Sequence, residues 1–272
     1  MKRRGTCKSE YKYLSTSPPH VGKLNTKYDT FTAPKTNNGR RNLALVHPIS
    51  QLAISLLLTQ HKAKIKKIIS RSTASLYRTH ENQTQGKAFA GLDFRQREIL
   101  IPRICSKRAY ILKADISRFF YTVYTHSIPW AILGKEKAKT LHFTKKLSSH
   151  WSSDFDKALQ SCQSRETFGL PVGPDTSRVI AELILAGVET DPGYVAATKG
   201  CPSFRLLDDF FIGFKDEMSA QMALAALRKA LWQFNLQLNE EKTNISRSTI
   251  PFNEKWKLDF ESIILTELDE RQ

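Results

Sequence analysis

CPSFRLLDDFFIGF, residues 201–214, is the stretch from which the rest of the chain can be read. Phe204 to Leu207 and Phe210 to Phe214 are two short apolar runs, rich in aromatic residues, on either side of two adjacent acids. Runs of that length and composition predict a β-hairpin with Asp208-Asp209 as its turn. Two carboxylates then share one hairpin tip, where their repulsion raises a pKa unless something positive neutralises them. A hard divalent cation with oxygen ligands would do so. Asp is also common in plain turns with its carboxylate in water, so the pair alone admits both readings.

Working outward, FGLPVGPDTSRVIAELILAGVE sets a Gly/Pro turn (Gly169, Pro171, Gly173, Pro174) before a helix starting near Asp175 or Thr176. Val179, Ile180, Leu183 and Ile184 form its apolar side. After the hairpin, residues 217–236 give the clearest helical pattern, with Met222, Leu224, Leu227, Leu231 and Phe234 at three- and four-residue steps. LQLNEEKT (236–243) predicts a short strand or turn carrying Lys242. Upstream, REILIP (97–102) and AYILKADI (109–116) read as strands separated by a basic turn around Arg103, Lys107 and Arg108. In the second, Ile111, Lys113 and Asp115 share one face, and Tyr110, Leu112 and Ala114 the other. Asp115 thus ends an apolar strand, an expensive place for a lone carboxylate. Helical spacing from Pro48 or Ser50 to about Ser70 and helical propensity over 131–165 complete the pattern. His126 and Trp130 read as structural, fixing the turn into that insert. Strands and helices alternate without a βαβ repeat, which predicts an α+β fold, an antiparallel sheet with helices on one face.

The 272 residues, 40% hydrophobic and 25% charged, are enough for a proper core. No apolar run reaches membrane-span length and the N-terminus lacks a signal-peptide stretch, so a cytoplasmic protein with no membrane partner is expected. Cys7, Cys105, Cys162 and Cys201 show no metal-binding spacing, which predicts reduced thiols without structural zinc. The net charge is +16, and residues 1–80 hold 16 Lys or Arg against only Glu10 and Asp29. Such a field suits nucleic acid, although a solvated basic face or an anionic membrane patch would show the same charge.

Asp115 at a strand end and Asp208-Asp209 at a hairpin tip become neighbours if the two elements pair in one sheet. Two Mg²⁺ ions between such carboxylates would serve in-line phosphoryl transfer. The ordered set DISRFF, GLPVGPDTSR, LLDDFF and LNEEKT resembles motifs A, B, C and D of reverse transcriptases, across roughly residues 95–245. YTHSIPWAI after motif A is similar to what bacterial defence-associated, abortive-infection members carry there.

The resemblance implies an RNA-directed DNA polymerase with the fingers and palm of a right-hand fold, the palm a ferredoxin-like antiparallel sheet backed by helices. It implies Asp115 and Asp208 as metal ligands with the Ile116 carbonyl, and Asp209 as the third acid. Two Mg²⁺ ions, or Mn²⁺ in their place, would be the cofactors. Phe120 stands where the family has a steric gate against a ribose 2′-OH; a core Phe beside Phe119 is the alternative. Gly169 and Pro171 would let the backbone approach the nucleotide, or simply start a helix. Lys242 would approach the pyrophosphate as a general acid, or be a surface lysine. Arg103 and Lys107 are weaker candidates for the triphosphate. Arg40, Arg41, Lys62, Lys66, Arg71 and Arg205 are expected to meet nucleic acid.

The implied organisation is a basic, poorly structured arm (1–40), fingers (41–110), a palm (111–250) with 131–165 as an insert packing toward the fingers, and the start of a linker or thumb (251–272). Leu206 replaces an aromatic residue usual in motif C, and the thumb is expected to be absent or truncated. Partners would be an RNA template, DNA product and dNTPs, with a structured non-coding RNA or a C-terminal helical partner as additions. Template-independent or protein-primed synthesis, and a catalytically weak RNA-binding palm remnant, are the alternative functions.

Overall fold

The computed structural model describes residues 25–34, 39–76, 95–105 and 108–248. Most of the basic arm, Cys7, Lys107 and residues 251–272 lie outside these, as does the side chain of Cys105.

The centre is a four-stranded antiparallel sheet in the order β4-β5-β3-β6, built from β3 (Tyr110–Asp115), β4 (Ser203–Leu206), β5 (Asp209–Phe214) and β6 (Asn244–Arg247). Side chains alternate across it. Leu112, Ala114, Phe210, Ile212 and Phe214 enter the main core, while Ile111, Phe204, Leu206 and Phe211 form a second cluster on the opposite face.

Among the described residues ten α-helices accompany it: α1 (Pro48–Gln60), α2 (Lys62–Ile69), α3 (Arg95–Cys105), α4 (Phe119–Thr122), α5 (Ser127–Leu133), α6 (Lys135–Phe143), α7 (Trp151–Ser161), α8 (Asp175–Val188), α9 (Pro192–Thr198) and α10 (Glu217–Gln233). Twelve residues of α8 are buried, from Thr176 to Val188 with Arg178 the exception. A helix apolar on nearly every side belongs inside the protein, and α8 accordingly touches α1, α2, α5 and α10. Where it passes α5, a Cβ on Gly187 would come within 2.8 Å of the Ala131 Cα, so glycine is what lets the two helices approach. The long helix α10 starts at Asp216, whose carboxylate accepts from the Ser219 N–H and hydroxyl, each at 2.8 Å. Leu224, Leu227 and Leu231 point inward, but Met222 is 63% exposed, so the apolar stripe is narrower than its spacing suggests.

Four local expectations change. REILIP is part of α3, not a strand: Leu100, Ile101 and Ile104 pack on the sheet, an i, i+1, i+4 pattern that a short apolar run conceals. Because α3 covers the Ile111–Phe211 cluster, helices lie on both faces of the sheet, with α8 and α10 on the main one. Within the arm expected to be poorly structured, β1 (Asp29–Pro34) pairs in antiparallel register with β2 (Arg40–Leu45). That second sheet is fixed by Ala44 N–H donating to the Val172 carbonyl (2.7 Å) and by Tyr121 donating to the Asn42 carbonyl (3.0 Å). The single helix expected over 48–70 breaks at His61, whose ring packs on Trp151 with centroids 4.8 Å apart.

Candidate active site

The hairpin turns at Leu207-Asp208 rather than Asp208-Asp209, with Asp209 opening β5. Leu207 adopts φ 52°, the left-handed conformation that a branched side chain disfavours. In the register of β3 against β5, Asp115 stands directly opposite Asp209. Like charges facing one another across an antiparallel pair destabilise it unless positive charge nearby offsets them. Asp208 is half-buried beside them. Burial first, then the Asp209 and Asp115 carboxylates, push its pKa up to about 6, partly offset by a backbone hydrogen bond and Lys242.

Positive charge reaches the site from the turn before β6. Lys242 Nζ donates to Asp115 Oδ2 at 2.8 Å. That bond, with the charges of Asp115, Asp209 and Asp208, holds the ammonium above its ordinary pKa against a smaller effect of burial. Two backbone contacts fix this turn on the strand end: Asn239 N–H donates to the Asp115 carbonyl (2.8 Å), and Asp115 N–H to Thr243 Oγ1 (3.4 Å). Ile116 pairs with Leu238 in a bridge whose hydrogen bonds run through Asp115 and Ser117, so its own carbonyl points away from Leu238.

The donors gathered here are all oxygens, the set that suits a hard cation such as Mg²⁺. Among the described residues no three His, Cys, Asp or Glu side chains form a metal cage. Mg²⁺ does not demand one, since it is commonly held by one or two carboxylates completed by substrate phosphates and water.

Residues 52–260 match the family model described as reverse transcriptase (RNA-dependent DNA polymerase). The chain belongs to this family. Comparison with curated proteins gives no match. The reverse transcriptase is therefore an RNA-directed DNA polymerase, a nucleotidyltransferase acting on an RNA template and dNTPs, and enzymes of this family generally use Mg²⁺ or Mn²⁺. None of its described helices is long and apolar enough to cross a membrane.

Around the acids, the reverse transcriptase brings the motif A and motif B segments together. Leu170 N–H donates to the Phe120 carbonyl at 2.6 Å, and Gly169 N–H to the Val123 carbonyl at 2.8 Å. Gly169 has φ 96°, and a Cβ there would meet the Tyr121 and Phe120 carbonyls at 3.7 and 3.8 Å. Gly169 and Pro171 are buried. Phe120 is half-buried, edge-on to Phe119 at 5.4 Å. His126 is hydrogen-bonded to Asp156 of α7, which joins the turn after motif A to the insert.

Arg40, Arg41, Lys62, Lys66 and Arg71 are exposed, and Arg40 donates to Thr32 across the β1–β2 pair. Arg103 is exposed on α3, where its neighbour Ile104 packs at Gly213, four residues along β5 from Asp209, about 13 Å at strand rise. Arg108 likewise lies at the far end of β3, donating to the Gly200 carbonyl (3.1 Å).

Arg205 corrects a further expectation, because it is 0% exposed and reaches no solvent-borne nucleic acid. Strand alternation places it on the core face with its partner Phe210, opposite the face of Leu206 and Asp209. There it meets Glu182 and Glu189 of α8 and its C-terminal cap. Neither glutamate was anticipated, although a lone acid inside so apolar a helix was the signal that a buried partner had to exist.

Proposed function

We propose that this reverse transcriptase is a bacterial antiphage polymerase that extends a 3′-hydroxyl at a two-metal site held by Asp115, Asp208 and the Ile116 carbonyl. The observation that carries the site is the register that sets Asp115 opposite Asp209 with Asp208 adjacent. Three acids gathered at one end of the sheet with the single ammonium of Lys242 suit divalent cations as further counter-charge. Bound there, Mg²⁺ would activate the attacking hydroxyl and stabilise the leaving pyrophosphate. Asp209 lies toward the primer end. Phe120, behind the motif B turn, excludes a ribose 2′-OH by contact and so favours deoxynucleotides. Arg41, Lys62, Lys66 and Arg71, from a fingers region at 41–110, supply phosphate contacts together with Arg40 at the end of the arm, and 111–250 is the palm. The defence role rests on the likeness of YTHSIPWAI to what abortive-infection members carry after motif A.

Lys242 has two jobs in this reading. Paired with Asp115, its raised pKa makes it a poor proton donor, so general-acid catalysis requires it to leave the carboxylate. Lys242→Gln should then do two opposite things. Mn²⁺ binding to the substrate-free protein, read by electron paramagnetic resonance, should tighten several-fold once the competing ammonium is gone. Nucleotide addition should slow by about a hundredfold. Unchanged Mn²⁺ binding would remove Lys242 from the metal site, and an unchanged rate would remove it from proton transfer.

The reading as a whole is tested by primer extension on an RNA template, with each dNTP also supplied singly and without nucleic acid. Template-dependent product is expected. A homopolymer made from one dNTP, or label attached to the protein, would point to untemplated or protein-primed synthesis. Expression in bacteria challenged with phage tests the defence role; protection that survives Asp208→Asn would separate it from polymerisation.

A further inference from the structure

The guanidinium of Arg205 makes four hydrogen bonds inside the protein: Nη1 and Nη2 to the two oxygens of Glu182 (2.9 Å each), Nε to Glu189 (2.7 Å) and Nη1 to the Leu207 carbonyl (2.8 Å). Three of these would satisfy a structural ion pair. The fourth is different, because Leu207 is the left-handed residue immediately before Asp208. The same guanidinium therefore holds both the motif B helix and the turn that presents the acids, with Nη1 donating to each.

Its backbone is gripped as well. Arg205 N–H donates to the Ala74 carbonyl (2.7 Å) and Leu76 N–H to the Arg205 carbonyl (2.9 Å), which covers the outer edge of β4 with the segment after α2. Ser75 Oγ closes the circuit by donating to Glu182 Oε2 at 2.7 Å. Arg205 lies over the Phe210 ring at 5.7 Å, which fixes the guanidinium plane from the side of β5. The turn has no glycine to favour its conformation, so Leu207 is held by its surroundings rather than by its own preference.

We propose that Arg205 is a positioning residue for polymerisation: through Glu182, Glu189 and the Leu207 carbonyl it locks the turn that aims Asp208 at the metal site. This rests on the assignment of Asp208 as a metal ligand. Arg205 touches neither substrate nor metal and acts only through the turn. A fork matched to four acceptors does what a point charge does not, so the demand is for arginine and not merely for a cation.

The test separates positioning from folding. Arg205→Met alone strands two buried glutamates, so the triad is neutralised together as Arg205→Met/Glu182→Gln/Glu189→Leu, a replacement that buried ion networks often tolerate. Arg205→Lys is the second variant, keeping the charge but not the fork. Three quantities are read: hydrogen exchange of the peptide spanning 204–210, the Mn²⁺ half-saturation point of the substrate-free protein, and kcat against KM for dNTP on an RNA template. In whichever variant melts near the wild type, turn exchange should quicken about tenfold, the scale of one lost charge-assisted hydrogen bond. Mn²⁺ binding should weaken by a similar factor, and kcat should fall toward a hundredfold with KM little changed, as misplacement of a reacting group does. A folded variant with wild-type turn exchange, Mn²⁺ binding and kcat would overturn the proposal. A loosened turn with unchanged Mn²⁺ binding would overturn the assignment of Asp208 as a ligand, and the proposal with it.

Discussion

Asp208→Asn should inactivate the enzyme while making the metal-free protein more stable, two effects of one change with opposite signs. Several kcal/mol of transition-state charge stabilisation depends on a bound metal, and about 4 kcal/mol is a thousandfold in rate. Primer extension should therefore fall by roughly a thousandfold or more. The stability effect follows from the pKa of Asp208, raised from 3.8 to about 6 chiefly by burial and then by Asp209 and Asp115. A carboxyl with a raised folded pKa binds its proton more tightly when folded, so it costs the fold stability progressively as pH rises from about 4 to about 6. Above that window the cost is complete, and Asn removes it. Melting in chelator should thus be higher for Asp208→Asn than for wild type at pH 8, with the difference gone near pH 4. Metal binding by the wild type should weaken as pH falls below about 6, where the proton competes for the carboxylate. A variant melting below wild type at pH 8 would mean that Asp208 is a favourably solvated turn residue.

The second large effect concerns stability alone. Arg205→Met should cost about 3–5 kcal/mol, because it leaves the carboxylates of Glu182 and Glu189 buried without their counter-charge. Glu182 is 0% exposed, so water cannot take over from the guanidinium. Urea denaturation measures this directly, and adding Glu182→Gln and Glu189→Leu should recover most of the loss. A single variant within about 0.5 kcal/mol of wild type, the scale of an ordinary surface change, would show that the triad is not formed as described.

What the sequence disclosed depended on how far each signal relied on neighbours. The hairpin around Asp208, the strand ending at Asp115 and the helices now seen as α8 and α10 have periodic apolar residues and clear punctuation, and all are present. Ile99, Leu100 and Ile101 are three apolar residues in a row, which fit either period; packing of Leu100, Ile101 and Ile104 on the sheet decides for a helix. The β1–β2 pair was hidden because its residues are largely exposed and its hold on the protein comes from Val172 and Tyr121, distant in sequence.

The acids were legible as chemistry before they were legible as geometry. Their cross-strand pairing needed the register, and the Lys242 contact needed the turn before β6. Arg205 was misread because a basic residue beside a nucleic-acid site invites a surface role. Yet in FRLL it sits between Phe204 and Leu206 in a strand, and with Glu182 in an apolar helix it formed two opposite charges, each with nowhere to go but the other.

The most direct test of the central claim is to place Fe²⁺ in the protein in place of Mg²⁺ and let it cut the nearby backbone with ascorbate and peroxide. Cleavage confined to the neighbourhoods of Asp115-Ile116 and Leu207–Asp209, suppressed by excess Mg²⁺ and lost in Asp208→Asn, is what this account predicts. Cuts elsewhere, or cuts at these positions that neither Mg²⁺ nor the substitution affects, would contradict it.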